Sequence, residues 1–574
     1  FPPCAGRSLR RGEATMIGFS AFWGGERMAS ARVRLVSGFM GVLFVAVALK
    51  GGTLALQPTG NRTGVSAAFA DAPHRADILD RNGELLATSV TVYSLFADPR
   101  AIWNAKDVAE SLSEVFEDLD AGVLEARLSN RERAFAWVRR GLTPRQRQAV
   151  FDLGLEGLGF REERRRAYPR GPLAGHVLGF TGMDGNGLGG VELALDERLS
   201  GSNEPLRLTI DSGLQFALEA ELNAAAIEHR VEGGAGVLIE ASSGDVLAMA
   251  SWPPINPNRV GAMPDGDPAR LDRAALAVYE LGSVYKPFTV ALALDAGLMS
   301  PGEVFDVSQP IEIRGHLISD DHPIPGGQAS VTTIVSESSN VGTVKIAQRA
   351  GPSRLSAFYQ SLGLFERAPV ELAGSASPLL PAKWDELSMA TASYGHGIAV
   401  SPLSFTSAFA SLANGGEWVA PGLIAEPNAN RTRRRVMAQP TVAQITDMLR
   451  ATVLEGTGSN AAVAGYRVAG KTGTAEKPIV GGYSETDNIS SFAAIFPADR
   501  PEYALLIVLD TPKVSDEREI NGVVMGRTAA WNAALAAGRV IERIAPLMGI
   551  TPRFDEAGGA SVPRDSTSET RSTL

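Results

Sequence analysis

The stretch "YELGSVYKPFT", Tyr279 to Thr289, sets Lys286 three residues after Ser283, at the head of a segment whose continuation, "FTVALAL", is almost unbroken apolar sequence. A serine hydroxyl is a poor nucleophile until something takes its proton, and a base three residues on along a helical turn lies on the same face. Lys286 can be that base only as a neutral amine. Burial disfavours its charged form and the positive end of a helix repels it, and this placement supplies both effects. Pro287 disfavours helical geometry at the residue before it, so the helix is expected to be irregular at Lys286. A tetrapeptide of this kind arises by chance in 574 residues, and alone it reads as a surface lysine.

Two further elements change that reading. "SESSN" places Ser338, Ser339 and Asn340 at the head of a predicted helix, "VGTVKIAQRAG", and "AGKTGTAEK" places Lys471, Thr472, Gly473 and Thr474 on a predicted strand. S-x-x-K, S-x-N and K-T-G, in that order, form the constellation of serine β-lactamases and penicillin-binding proteins. In such a site Ser283 is the nucleophile and Lys286 its base, while Ser338 and Asn340 relay a proton and position a substrate amide. Lys471 supplies positive potential, and Thr472 and Thr474 hold a terminal carboxylate. Gly473 lets substrate backbone lie against the strand edge, and the backbone N–H groups of Ser283 and Thr474 form an oxyanion hole.

The elements that must position these groups are also legible. Ile78 to Ser89, "ILDRNGELLATS", reads as a hairpin about Asn82-Gly83, and "VAESLSEVF" and "RQRQAVFDLGL" read as amphipathic helices. The glycine cluster from Gly179 to Glu192 has no phosphate-cradle spacing and reads as turns. From Leu206 the pattern changes to a helix ("SGLQFALEAELNAAAIEH"), two strands ("GAGVLIEA" and "GDVLAMAS") and a long helix-rich middle. Late strands follow, "YRVAGKTGT", "SSFAAIFPA" and "YALLIVLDT", and then a closing helix from about Arg527 to Ile544. Strands at both ends of a region with helices between predict an α+β fold around an antiparallel sheet assembled from distant segments.

Composition bounds the rest. A chain of 574 residues with 44% hydrophobic side chains is expected to form two or three folded units. With 54 basic against 64 acidic residues and no concentrated basic stripe, nucleic acid is not an expected partner. Cys4 is the one cysteine, so no intrachain disulfide or cysteine metal site is expected. Asp320, Asp321 and His322 could hold a hard cation, but the histidines form no H-x-x-x-H pair, and a polar loop is expected there instead. No metal and no cofactor is expected.

Leu35 to Leu56 is long enough to cross a bilayer if Lys50 snorkels, and Arg27, Arg32 and Arg34 place its N-terminal side in the cytoplasm. A cleaved signal peptide is the alternative, but the A-x-A site in "AAFADA" lies too far past the apolar run. Met16 or Met28 is the expected start of translation. The expected organisation is a cytoplasmic segment (1–34), an anchor (35–56), a linker (57–74), a first folded domain (75–205), a second (206–547) and a disordered tail (548–574).

The blocks "ILDRNGELLA", "YPRGPLAGHVLGF", "GLGGVELALDERLSG", "LTIDSGLQ", "SSGDVLAMASWPPINPN", "YELGSVYKPFT", "SSNVGT", "YGHGIAVSPL" and "VAGKTGTAEK" resemble, in content and order, those of the class B penicillin-binding proteins, most of all the division-specific FtsI type. The resemblance implies a pedestal domain at 75–205 and a transpeptidase domain at 206–547 with a five-stranded antiparallel sheet flanked by helices. It implies cross-linking of D-Ala-D-Ala stem peptides of peptidoglycan through a serine acyl-enzyme, with β-lactams acylating the same serine. It further implies a bacterial inner-membrane protein of the division septum, partnered by a lipid-II polymerase of FtsW type and other divisome proteins. No room remains between anchor and pedestal for a glycosyltransferase domain. Asn340 favours the division type over the elongation type, where aspartate is common. A β-lactamase or carboxypeptidase would use the same three motifs but hydrolyse the acyl-enzyme; the anchor and pedestal argue against it. Leu281 stands where many relatives have proline, which is expected to soften the turn before Ser283.

Overall fold

In the computed structural model of the chain, residues 74–426, 430–513, 519–520, 523–524 and 527–554 are described. The expected cytoplasmic segment and anchor, and the linker up to Pro73, lie outside them. Among the described residues, no helix is long and apolar enough to cross a membrane.

The first region is built on one long strand, Leu85–Ala97, which pairs antiparallel with Ile78–Leu79, with Ala136–Leu142 and with Leu158–Ala167. The expected hairpin forms. Its turn is fixed by Asp80, whose Oδ1 accepts from the N–H groups of Asn82 and Glu84, both at 2.8 Å. Helices Ala105–Val115, Ala121–Leu128 and Pro144–Asp152 start at Asn104, Asp120 and Thr143, whose side chains accept from first-turn N–H groups; Thr143 and Gln146 form a full capping box. Their apolar faces meet the strands in a separate core of Leu95, Leu112, Phe116, Leu124, Val138, Leu142 and Val150.

The base of this region is different. Ala76, Ile78, Leu86, Tyr168, Val177 and Val191 belong to the same continuous core as the second domain's strands and helices. Ile78–Leu79 pairs in parallel with Leu206–Arg207, so the chain passes the expected boundary at 205 without a gap in packing.

That base is pinned by a buried carboxylate. Glu192 accepts from Arg75 Nε at 2.5 Å, Arg166 Nε at 2.6 Å and Tyr168 OH at 3.3 Å. Arg75 also reaches Asp196 at 2.6 Å. The glycine cluster folds as turns up to Gly189, and Glu192 is presented to these partners from the short helix Gly190–Ala194.

The second region is an α+β unit around a five-stranded antiparallel sheet in the order 469–479, 482–496, 503–510, 233–240, 246–252. Side chains alternate along its central strands. From the strand Tyr503–Asp510, Ala504, Leu506 and Val508 enter the main core, while Leu505, Ile507 and Leu509 enter a second core under the helices Ser212–Glu228 and Ala533–Leu547. Both faces are therefore dry, which is why "YALLIVLD" reads as an uninterrupted apolar run.

Two expected bounds shift. The closing helix begins at Ala533, not near Arg527, because Asn532 caps it after a 3-10 turn at Ala529–Trp531. The first residues of the expected disordered tail are packed: Met548 and Ile550 lie against the second core, the Arg553 N–H donates to the Gly465 carbonyl at 2.7 Å, and the Arg553 guanidinium meets Asp499 at 2.5 Å. Residues 555–574 lie outside the described ones.

Replacing Glu192 by Ala leaves the buried Arg166 guanidinium without its carboxylate and Arg75 with only the part-exposed Asp196. Loss of one partner from such a buried pair costs about 3–5 kcal/mol, so Glu192→Ala should markedly lower the urea midpoint of unfolding; a midpoint equal to wild type would show that the cluster does not hold the base.

Candidate active site

Ser283 sits, half-buried, in a 3-10 turn, Gly282–Tyr285, that runs directly into the helix Lys286–Asp295. Lys286 has φ −53° and ψ −40°, so the irregularity expected at this residue is absent there. Pro287 stands at the second helical position, where a missing N–H breaks no intrahelical bond. The deformation lies one turn earlier, and it has a use: in 3-10 geometry side chains three residues apart eclipse, which aligns Ser283 with Lys286. Tyr285 anchors the turn, its ring 5.0 Å from Phe405 and 5.5 Å from Tyr359.

The turn lies directly on the K-T-G strand, Ala469–Ile479. A Cβ on Gly473 would stand 2.1 Å from the Leu281 carbonyl oxygen and 2.4 Å from Ser491 Oγ. One on Gly282, whose φ is +64°, would stand 2.8 Å from the Thr474 carbonyl oxygen. Gly473 is thus required by the approach of the serine turn. The Leu281 carbonyl accepts from Ser491 Oγ at 2.8 Å, which ties the turn to the sheet. On the other side the Gly282 N–H donates to the Gly395 carbonyl at 3.3 Å, a contact made by the "YGHG" block.

Lys286 is fully buried, and its amine donates to the Ser338 carbonyl and, at 3.0 Å, to Ser338 Oγ. Among the described residues it makes no ion pair, and no hydrogen bond joins it to Ser283 Oγ. Burial pushes its pKa down to about 7, against the opposing pull of Asp321 and Asp320. A neutral amine has two N–H bonds and one lone pair. Ser338 takes both N–H bonds and leaves the lone pair for another proton. Ser338 itself has φ +63°, a left-handed conformation that costs a non-glycine residue about 1 kcal/mol or more.

Ser339, the middle residue of S-x-N, caps the helix Asn340–Ala350 by accepting from the Gly342 N–H, while its Oγ donates to Asp320 at 2.8 Å. Asp320 also accepts from the Val341 N–H at 2.9 Å, and Asn340 donates its amide to the Ser319 carbonyl at 3.0 Å. The carboxylate weighed above as a cation ligand is therefore a clamp on the S-x-N element. His322 pairs instead with Glu337 at 3.3 Å.

Lys471 is the second fully buried amine, reaching the Thr472 carbonyl at 3.2 Å and Thr472 Oγ1 at 3.3 Å. Burial holds its pKa well below the usual lysine value, and the nearby Lys286 pushes the same way. Thr472 Oγ1 pairs with Thr457 Oγ1 at 2.9 Å. Thr474 Oγ1 accepts from the Ala529 N–H at 3.1 Å, which leaves its own O–H to donate.

The structure thus brings Lys286 together with Ser338, Lys471 with Thr472, and the Ser283 turn with Gly473 and Thr474. Asp320, Ser491, Thr457 and Gly395 were not assigned these roles from sequence; nothing in a single sequence ties them to motifs tens to hundreds of residues away.

Comparison with known proteins agrees with this geometry. Residues 70–221 match the penicillin-binding protein dimerisation domain, and residues 234–528 match the penicillin binding protein transpeptidase domain. The chain belongs to the class B penicillin-binding proteins. It is 40% identical over 94% of its length, and 92% of the relative's, to a probable peptidoglycan D,D-transpeptidase FtsI of Caulobacter vibrioides. It is 32% identical to the peptidoglycan D,D-transpeptidase FtsI of Escherichia coli K12, covering 76% of this chain and 79% of that one. Among solved structures it is similar to penicillin-binding protein 3 of Mycobacterium tuberculosis complexed with aztreonam, at 26% identity and a TM-score of 0.65, covering 84% of this chain and 98% of that one.

In Gly473→Ala the new methyl displaces the serine turn, so acylation by penicillin should fall at least about a hundredfold, the order of loss for a misplacement near 1 Å; near wild-type acylation would show that the turn has room to move. Because Lys286 takes up its proton near pH 7, wild-type acylation should rise about tenfold per pH unit below 7 and level off above it. Lys286→Arg keeps the charge but cannot lose a proton, so it should fold yet lose acylation by orders of magnitude; a wild-type rate in that variant would place the base elsewhere.

Proposed function

We propose that this protein is a septal peptidoglycan D,D-transpeptidase in which Ser283 attacks the carbonyl of the penultimate D-Ala of a stem peptide. The Oγ–carbon bond forms, the amide bond to the terminal D-Ala breaks, and Lys286 takes the Ser283 proton. Ser338, which receives two N–H bonds from that amine, returns a proton to the departing D-Ala nitrogen. Lys471, Thr472 and Thr474 hold the donor's terminal carboxylate, Asn340 orients its amide, and the backbone N–H groups of Ser283 and Thr474 receive the oxyanion. An amine of a second stem peptide then takes the acyl group. β-Lactams acylate the same serine.

The observation that carries this reading is the burial of Lys286 with its amine turned to Ser338, which makes a lysine a usable base near neutrality. The hydrolytic alternative is disfavoured by the dimerisation domain that precedes the site. Asn340 supports division over elongation. A single anchor over 35–56 with the catalytic domain periplasmic, and partnership with an FtsW-type polymerase and other divisome proteins, complete the proposal; the FtsI relatives and the arginines before the apolar run support it.

Fluorescent penicillin followed by mass spectrometry should find the label on Ser283, and Ser283→Ala should take none. Labelling retained in a folded Ser283→Ala protein would remove the nucleophile assignment. Depletion in the host should give cells that grow without septating; rounded cells with normal septa would transfer the protein to elongation.

A further inference from the structure

The K-T-G strand and the segment that leads into S-x-N are joined by a residue that belongs to neither motif. Thr457 lies, half-buried, in the loop that follows the helix Gln439–Leu454. That loop is closely held: the N–H groups of Gly456 and Gly458 both donate to the Thr452 carbonyl, at 3.2 and 3.0 Å. A Cβ on Gly456 would stand 2.5 Å from the Ser336 carbonyl oxygen, so the loop lies directly against the residue two positions before Ser338. The Thr457 N–H and Oγ1 both donate to that carbonyl, at 3.2 and 3.3 Å, and Oγ1 also meets Thr472 Oγ1 at 2.9 Å.

Counting protons gives the contact between the two threonines a direction. Thr472 is buried, and its hydroxyl accepts from Lys471 Nζ at 3.3 Å. A hydroxyl has one proton and two lone pairs. While Thr457 donates to the Ser336 carbonyl, the proton between the two threonines is that of Thr472, and it points to Thr457. In that state Thr472 offers an incoming carboxylate only lone pairs, which repel it. To hold a carboxylate, the Thr472 proton must turn towards it. The Thr457 proton can then turn to Thr472, and the Ser336 carbonyl keeps the Thr457 N–H. Thr472 Oγ1 now accepts from Lys471 and Thr457 and donates to the carboxylate. Neither arrangement leaves a buried hydroxyl unpaired, which would be costly.

We propose that Thr457 is a positioning residue of the donor subsite: it accepts the Thr472 proton while the subsite is empty and donates its own once a carboxylate takes that proton. This deepens the transpeptidase reading, in which Thr472 holds the donor's terminal carboxylate, and rests on it. No covalent bond changes in this step; two hydroxyl protons turn about their C–O bonds.

The test uses the full-length protein and two thioester donors of acyl-D-Ala. One has a leaving group that ends in a carboxylate, and in the other that carboxylate is a primary amide; kcat/KM is measured for each. Thr457→Val keeps the branched shape and removes the hydroxyl. It should cut the preference for the carboxylate donor about tenfold, the order of one weakened hydrogen bond to a charged group. Thr457→Ser restores a hydroxyl and should keep most of the wild-type preference. A wild-type preference in Thr457→Val would overturn the proposal. So would equal losses with both donors, which would make Thr457 a packing residue, and so would a serine variant as impaired as the valine one. If wild-type protein shows no preference for the carboxylate donor, the placing of that carboxylate at Thr472 fails first and this proposal with it.

Discussion

Two lysine amines, Lys286 and Lys471, lie fully buried with no carboxylate bonded to either among the described residues. At the base of the first region, by contrast, the buried cations Arg75 and Arg166 share Glu192. An unpaired ammonium in a dry interior is strongly disfavoured, and a lysine there sheds its proton instead. The fold tolerates this only because neutral amines can be satisfied by hydroxyls and carbonyls. Ser338 does so for Lys286 and Thr472 for Lys471. The serine's activation follows from that constraint, because a base is available at neutral pH only while burial lasts.

The surrounding structure keeps the burial in place. Helix Lys286–Asp295 is enclosed by the main core, and its first turn carries the positive end of the helix, which also opposes a charged amine. The sheet is dry on both faces, so its K-T-G edge is a rigid floor. The serine turn is pressed onto that floor at two glycines and tied by Ser491 and Gly395. Ser338 is held in a left-handed conformation just ahead of a capped helix, and Asp320 clamps the residues that follow it. Local strain at Ser338 is sustained by these bonds and directs its carbonyl to the amine.

Much of this was legible in the residues. The three motifs carry fixed local geometry, and the apolar runs after the K-T-G element mark strands buried on both faces. The hairpin at Asn82-Gly83 and the helix at Ser212 follow from turn and cap chemistry. What sequence could not carry were contacts between distant segments. Gly473 is a glycine for a carbonyl that lies nearly two hundred positions earlier, a contact no local pattern carries. The clamp made by Asp320 was not legible because a helix N-terminus twenty residues on is invisible to local pattern. Pro287 was expected to disturb Lys286, but the preceding 3-10 turn absorbs the disturbance. Residues 548–554 are ordered by Met548 and Ile550 against the second core and by contacts with Gly465 and Asp499, none of which a local pattern carries.

The central claim is that burial makes Lys286 a base near neutral pH, and the most direct test is to titrate that amine itself. Protein labelled with carbon-13 at the lysine ε position can be followed by NMR against pH, with the Lys286 signal assigned by its loss in Lys286→Arg. The account predicts a midpoint about 7 in the folded protein. A midpoint near the ordinary lysine value of 10.5 would contradict it and leave Lys286 as a fixed positive charge.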